Sequence, residues 1–354
     1  MALQRKVKHR PLLVRPGAVF RCFGDGLCCT DIHALGLLTR GEIKELRARD
    51  KLSVVYSDDI EGYCLKPIDH RCLHLLPNEL CGLHAAYGPE SKPNGCRRFP
   101  YGLVSTPLGG RISTEHRCSC RTLGDRPPIS IPDAEVSLLN RAGRLEIDRE
   151  IGEKVRLTAD KRVSFRVYAA LEARMIERLN AGDLAEHVLA AKPLPERDAD
   201  TGWPTIAASH IETWDSTAGG EAFAWFGDGL LELATGHIPP ERPRPWHAAY
   251  ERAIARTPNP QTPDQIFNDW IADELWMFRW FDWGPFDVAR AELATRLGIA
   301  RLTQKRIEKR GVRPDQAAAE AVMICELASE GSEWPQAVEG IATRPSPAEP
   351  LLAL

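Results

Sequence analysis

Nine of the ten cysteines in this 354-residue chain fall between Cys22 and Cys120. They are Cys22, Cys28, Cys29, Cys64, Cys72, Cys81, Cys96, Cys118 and Cys120, and only Cys325 stands apart. Thiolates are soft ligands suited to zinc and to iron–sulfur clusters, and each such site typically takes four. Nine thiols fill two sites with one to spare. The competing chemistry is disulfide formation. It belongs to secreted chains, whereas a dense thiol cluster in a reducing compartment reads as a metal centre.

Spacing narrows the metal chemistry without choosing the metal. The paired C-x2-C signature of zinc sites and a Cys2His2 set are both absent. So are C-x3-C-x2-C, the radical-SAM signature, and the C-x2-C-x2-C-x3-C-P run of bacterial ferredoxins. What remains is an adjacent pair, Cys28-Cys29, and a tight Cys118-x-Cys120. Neighbouring thiols at such spacing often point apart, so the members of one pair can serve different centres. His70, His74, His84 and His116 flank the cysteines and are read as hydrogen-bond partners of ligands or loop residues. Arg97 and Arg98 either offset the negative charge of a thiolate-ligated cluster or are solvated.

Outside this stretch the chain offers few handles. It has no G-x-G-x-x-G, Walker A, H-E-x-x-H or G-x-S-x-G motif. His210-Ile-Glu212 echoes a deaminase motif, but the P-C-x-x-C that must accompany it is missing. Residues 268–287 pack Trp270, Trp276, Trp280 and Trp283 beside Asp269, Asp273 and Glu274. They read first as an amphipathic helix filling the core, and second as a pocket with aromatic walls and a carboxylate rim. Cys325, in AVMICELA, reads as core.

The elements that must position the thiols are short. Residues 1–19 are an extended lead-in, since Pro11 and Pro16 discourage helix. Thr39 and Glu42 form a capping box for a helix over 40–49. Residues 52–57 and 61–66 read as two strands around Asp58-Asp59. Pro67 to Pro100 has no clean period, and a loop so long needs ligands to hold it together. Residues 101–105 and 110–116 form a hairpin that returns the chain to Cys118 and Cys120. A helix of about eight residues starts at Asp133. Residues 144–151 and 154–160 follow as a strand pair, and Ser164 caps a longer helix ending at Gly182. Beyond Thr217 the pattern is helical.

The expected fold is therefore α+β: an irregular, cysteine-rich, metal-bound N-terminal module with short strands, then a mainly α-helical C-terminal region. The expected divisions are 1–126 for the module, 127–191 for strands and helices packed on it, 192–217 for a linker, 218–341 for a helical domain and 342–354 for a loose tail. Composition is that of an ordinary globular chain, 43% hydrophobic and 27% charged with net charge −3. It gives no reason to expect nucleic acid or an anionic membrane as partner. No apolar run is of spanning length, and no signal-peptide core follows the basic N-terminus, so a cytoplasmic location is expected.

Three blocks, in order, carry a family resemblance: Phe20 to Cys29, then Cys72 to Leu75 with Cys81 to His84, then Cys96-Arg97-Arg98-Phe99-Pro100. Over roughly residues 20–122 the chain resembles the YkgJ-type cysteine-cluster family, described as zinc- or iron-chelating. The resemblance implies Cys22, Cys28, Cys29, Cys72, Cys81 and Cys96 as leading ligands. Cys118 and Cys120 come next because the hairpin before them returns them to the cluster, and Cys64, in a YCLKP stretch that reads as a strand, is the spare. One departure stands out. The family commonly opens C-x-x-C-G-x-C-C, and Asp25 occupies the place of the second cysteine. Either that ligand is dispensable, or Asp25 replaces it, or Cys64, Cys118 or Cys120 compensates. In plan the chain is also similar to flagellin lysine-N-methylases, which join a cysteine cluster to a helical region.

Two functions follow. In one, the cysteines hold an iron–sulfur cluster, of 4Fe–4S type, in an enzyme that modifies a side chain of a protein or peptide substrate. In the other, the metal is structural zinc in an interaction or scaffold protein without catalysis.

Overall fold

The computed structural model describes residues 11–33, 37–57, 61–194, 202–212, 217–257, 259–329 and 333–341. The Asp58-Asp59 turn, much of the 192–217 segment and the 342–354 tail lie outside them. The fold is α+β, with small sheets in the N-terminal half and helices beyond.

The largest sheet has four strands, in the order Leu12–Val14, Gly109–Thr114, Tyr101–Thr106, Arg149–Glu150. Its centre is the expected hairpin, antiparallel with Tyr101 opposite Thr114 and Thr106 opposite Gly109. Leu12–Val14 runs parallel along one side of the hairpin, and Arg149–Glu150 lies parallel along the other. The expected pair over 144–151 and 154–160 is not formed. Arg149–Glu150 instead pairs with the free edge at Val104-Ser105, and Lys154–Arg156 pairs with Arg162–Ser164. An edge strand with unpaired backbone groups is a ready partner, and which edge is on offer depends on tertiary placement.

Local chemistry sets the remaining module elements. The Thr39–Glu42 capping box holds the helix Arg40–Arg49, and Val54–Ser57 pairs with Gly62–Leu65. Ser130 caps the helix Ile131–Leu138, so that helix starts at Ile131 rather than Asp133, with Pro132 in the first turn where its missing N–H costs nothing. The stretch from Pro67 to Pro100 carries several short elements. They are a two-residue ladder, Pro67–Ile68 with Arg71–Cys72, and the helices Gly82–Tyr87 and Asn94–Arg98. The chain enters and leaves the module side by side. Phe20 N–H donates to Pro127 C=O at 3.0 Å, and Val19 bridges Pro128.

The main hydrophobic core belongs to the helices. Ser164 caps Phe165–Asn180 as expected, and Tyr168 on this helix packs with Phe278, Trp280 and Phe286. Trp270, Trp280 and Cys325 are buried, in keeping with the core reading of their segments. Leu27, Ile32, Val104 and Leu123 reach into this core from the N-terminal side. The thiol-bearing loops themselves rest on a small separate core of Leu38, Leu46, Val54 and Leu83. Among the described residues no helix is long and apolar enough to cross a membrane.

The segment expected as a linker contains a helix, Trp203–Glu212. Its Trp203, Ala207 and His210 are buried, Trp203 lies 6.0 Å from Trp334, and His210 stacks near Phe223 and Phe226. Flanking Pro and Asp residues hid a face that only tertiary packing completes. Trp203→Ala is expected to destabilise the protein by about 3–5 kcal/mol, as truncation of a buried tryptophan does. Urea unfolding checks this, and a change below about 0.5 kcal/mol would return the segment to linker status.

Candidate metal centre

The segment that carries Cys118 and Cys120 is held by a buried ion network. Asp269 and Asp273 sit one turn apart on the helix Pro263–Trp276, on one face. Arg15 donates through Nε to Asp273 at 2.7 Å and pairs with Asp269. Arg121 donates to Asp273 at 2.6 Å and also pairs with Asp269. His116 Nε2 meets Asp273 Oδ2 at 2.8 Å. The side chains of Arg15, Arg121, His116 and Asp273 are all essentially inaccessible to solvent. Burial alone would raise the Asp273 carboxyl, but Arg15, Arg121 and His116 together hold it well below the usual range. His116 thus serves this clamp and not the thiols.

Next to the clamp lies a first thiol group. The Cys120 thiol contacts those of Cys118 and Cys22. It also approaches Asp25 Oδ2 at 3.5 Å and accepts the Phe23 N–H at 3.2 Å. Asp25 is buried, with Oδ1 accepting from Leu27 N–H at 3.1 Å and Oδ2 from the Ser119 hydroxyl. Cys118 and Cys120 are buried, and Cys22 reaches the surface. Arg256 fixes the loop by donating to the Phe23 and Gly24 carbonyls at 3.2 and 2.9 Å. Arg126 donates to the Cys120 carbonyl and lies over the Phe23 ring at 3.4 Å.

A second thiol group lines an apolar cavity of about 290 Å³. Five cysteines face it: Cys28, Cys29, Cys64, Cys72 and Cys96. Cys28 and Cys29 end the 3-10 turn Leu27–Cys29, which follows Gly26 in a left-handed conformation (φ 76°). Cys64 comes from Gly62–Leu65, Cys72 from Arg71–Cys72 and Cys96 from Asn94–Arg98. Cys81 precedes the helix Gly82–Tyr87, and its thiol interacts with those of Cys72 and Cys96. Cys64, the expected spare, shares this cavity. Cys28 lies between the two groups, in contact with Cys29 and in the field of Asp25 and Cys22.

All ten cysteines are free thiols. Among the described residues no group of three or more His, Cys, Asp or Glu side chains is arranged to hold a metal ion as it stands. Cys28 contacts Cys29, and Cys120 contacts both Cys118 and Cys22. Burial pushes Cys96 up to about 12, with Lys92 pulling it down and the thiols of Cys72, Cys28 and Cys81 pushing it further up. Cys72 is likewise raised by burial, while the backbone N–H of His74 favours its anion. The donor chemistry nonetheless suits a soft metal. N–H groups of Gly24, Phe23 and His74 point at Cys22, Cys120 and Cys72, and oriented backbone donors favour anionic sulfur.

The other flanking residues have different tasks. His70 pairs with Asp31 at 2.7 Å, and His84 is exposed on its helix. Arg97 donates to Asn94 and the Leu139 carbonyl, and Arg98 pairs with Asp148, so neither faces the thiols. His33 was not signalled by the sequence. It is buried, lines the thiol cavity and packs on Phe99 at 5.1 Å, and burial together with Arg117 holds it well below its ordinary value, hence neutral.

Phe99 also lines a larger, mixed-charge pocket of about 500 Å³ between the module and the helices. Gly95, beside Cys96, borders both spaces. Arg98, Arg117, Arg149, Arg279 and Arg296 face this pocket, with Glu115, Asp148, Glu274 and Glu326 among them. Arg279 bridges Glu274 and Glu326 at 2.9 and 2.5 Å, and Trp283 forms part of the wall. Glu274 and Trp283 thus give the tryptophan-rich segment one pocket-facing end. Compared with known proteins, the chain matches no family model, no curated protein and no solved structure.

Asp273→Asn is expected to cost about 3–5 kcal/mol at neutral pH, because it leaves buried guanidinium charge uncompensated. The carboxyl titrates below its ordinary value of 3.8 when folded. Its contribution is therefore complete above that value and is lost as pH falls through the depressed one. Urea unfolding of both proteins at neutral and strongly acidic pH should show the gap narrowing in acid. A gap independent of pH would show that Asp273 acts through packing and not charge.

Proposed function

We propose that this chain is a metal-binding protein of the reducing cytoplasm that holds an iron–sulfur cluster, of 4Fe–4S type, on its N-terminal cysteines, as its resemblance to the YkgJ-type family implies. The observation that carries the reading is the cavity, where five cysteines from four separate segments, Cys28-Cys29, Cys64, Cys72 and Cys96, line one apolar space. Cys28, Cys72, Cys81 and Cys96 are the four-thiolate set this reading favours, because Cys72 and Cys96 each interact with Cys28 and Cys81, the last of which lies beside the cavity and not on its wall. Cys29 and Cys64 border the same space. Soft thiolate donors in apolar surroundings suit such a cluster, which supplies redox or substrate-binding chemistry when bound.

We read the protein further as an enzyme that modifies a side chain of a protein or peptide substrate. The mixed-charge pocket supports this, since it is open to solvent and large enough for an extended side chain. Gly95 borders both this pocket and the thiol cavity, and His33 of the cavity packs on Phe99 of the pocket. The competing reading is a zinc-stabilised scaffold without catalysis. It draws on the small core beneath the thiol loops, which leaves metal coordination to supply folding energy.

Anaerobic purification with iron, sulfide and zinc analysis separates the two. A brown protein with matched iron and sulfide is expected. Cys96→Ser should retain at least about tenfold less iron, since even residues beyond the ligands change metal affinity by that much. Cys325→Ser, remote in the helical core, should keep all of it. A colourless protein carrying zinc but neither iron nor sulfide would rule out the cluster and leave the scaffold.

A further inference from the structure

The thiols divide into two groups that differ in donor type and surroundings. Cys22, Cys118 and Cys120 do not line the cavity. They gather instead around Asp25, with the Cys120 thiol 3.5 Å from its Oδ2. That carboxylate is buried, and Leu27 N–H and the Ser119 hydroxyl fix one oxygen each. Among the described residues no cation is hydrogen-bonded to this buried carboxylate: Arg126 lies in its field, but its donors go to carbonyls and to Thr257. A divalent ion would resolve that arrangement. Three sulfurs and one oxygen form a four-coordinate set that zinc accepts, with hydrogen bonds to the carboxylate of the kind that orient ligands in such sites. The remaining six N-terminal cysteines still suffice for a four-thiolate centre in the cavity.

We infer that Cys22, Asp25, Cys118 and Cys120 form a second metal site, separate from the cavity, which takes a single borderline divalent ion such as zinc and fastens the two ends of the module together. The inference rests on the reading of the N-terminal cysteines as metal ligands and assigns them to two centres. The four donors already converge on Cys120, whose thiol contacts those of Cys118 and Cys22 and lies 3.5 Å from Asp25 Oδ2. Asp25 then occupies the position where the YkgJ-type pattern has a cysteine because it does a cysteine's work.

The test uses the full chain, purified anaerobically, with zinc and iron measured in the wild type and in four variants whose folding is checked by circular dichroism. Asp25→Ala and Cys120→Ser should each retain at least about tenfold less zinc than wild type, by the same reasoning as for iron. Cys96→Ser should lose iron and keep zinc. Asp25→Cys should keep zinc, and after cobalt exchange its sulfur-to-cobalt charge-transfer band should be about one-third stronger, as three thiolates become four. The cobalt comparison needs only wild type and Asp25→Cys, so it stands even where the alanine variant does not fold. Full zinc in folded Asp25→Ala, or an unchanged cobalt band in Asp25→Cys, overturns the inference. Loss of both metals together in Cys96→Ser and in Cys120→Ser overturns the two-site division and leaves the metal reading intact. Absence of both metals from the wild type overturns the reading beneath it as well.

Discussion

The arrangement of the N-terminal half depends on two carboxylates one turn apart on a helix more than a hundred residues downstream. Asp269 and Asp273 receive Arg15 and Arg121, and His116 completes the set. Two guanidinium groups buried without counter-charge would cost several kcal/mol each, so the network is stable only when complete. This all-or-nothing character fixes where the strand Leu12–Val14 ends and where the Cys118–Cys120 segment lies. A hydrophobic contact could slide by an ångström at little cost. Bonds of under 3 Å from two arginines to the same pair of carboxylates cannot.

Above the clamp, the thiol-bearing loops present the opposite case. Their own core is a handful of side chains around Leu46 and Leu83, and their strands are two to four residues long. Caps and turns hold them locally: the Thr39–Glu42 box, the left-handed Gly26 and the short helix around Cys96. Such a segment has little apolar area to offset its conformational entropy. Strong ligand bonds at the thiols would supply what the core lacks.

What the sequence made legible was what short-range chemistry decides. The two N-caps at Thr39 and Ser164 and the hairpin at Pro107-Leu108-Gly109 follow from side chains within a few residues of each other. The cysteines announced themselves by count, but the expectation that close pairs point apart misled: Cys28 and Cys29 line the same cavity, and Cys118 and Cys120 lie in contact beside Asp25. Long-range partnerships were hidden. Arg15 and Arg121 look like ordinary surface arginines until Asp269 and Asp273 are brought to them, although the i, i+4 spacing of the two aspartates on an apolar helix was a usable signal. His33 was hidden for the same reason, since nothing near it in sequence predicts Phe99 or the cavity wall. The Trp203–Glu212 helix was masked because flanking Pro and Asp residues dominate its neighbourhood, and its buried face is completed by Trp334 and Phe226.

The adjacency of Phe20 and Pro127 has a topological consequence. Because the chain segments touch where the module begins and ends, the loop between them closes on itself at that junction. The stretch between Leu38 and Pro93 is in effect a bight of chain. Lengthening such a closed loop raises its closure entropy only logarithmically. Homologous chains could therefore differ widely in size between the first and last cysteines while presenting the same frame to the helices, and this is where length variation should accumulate.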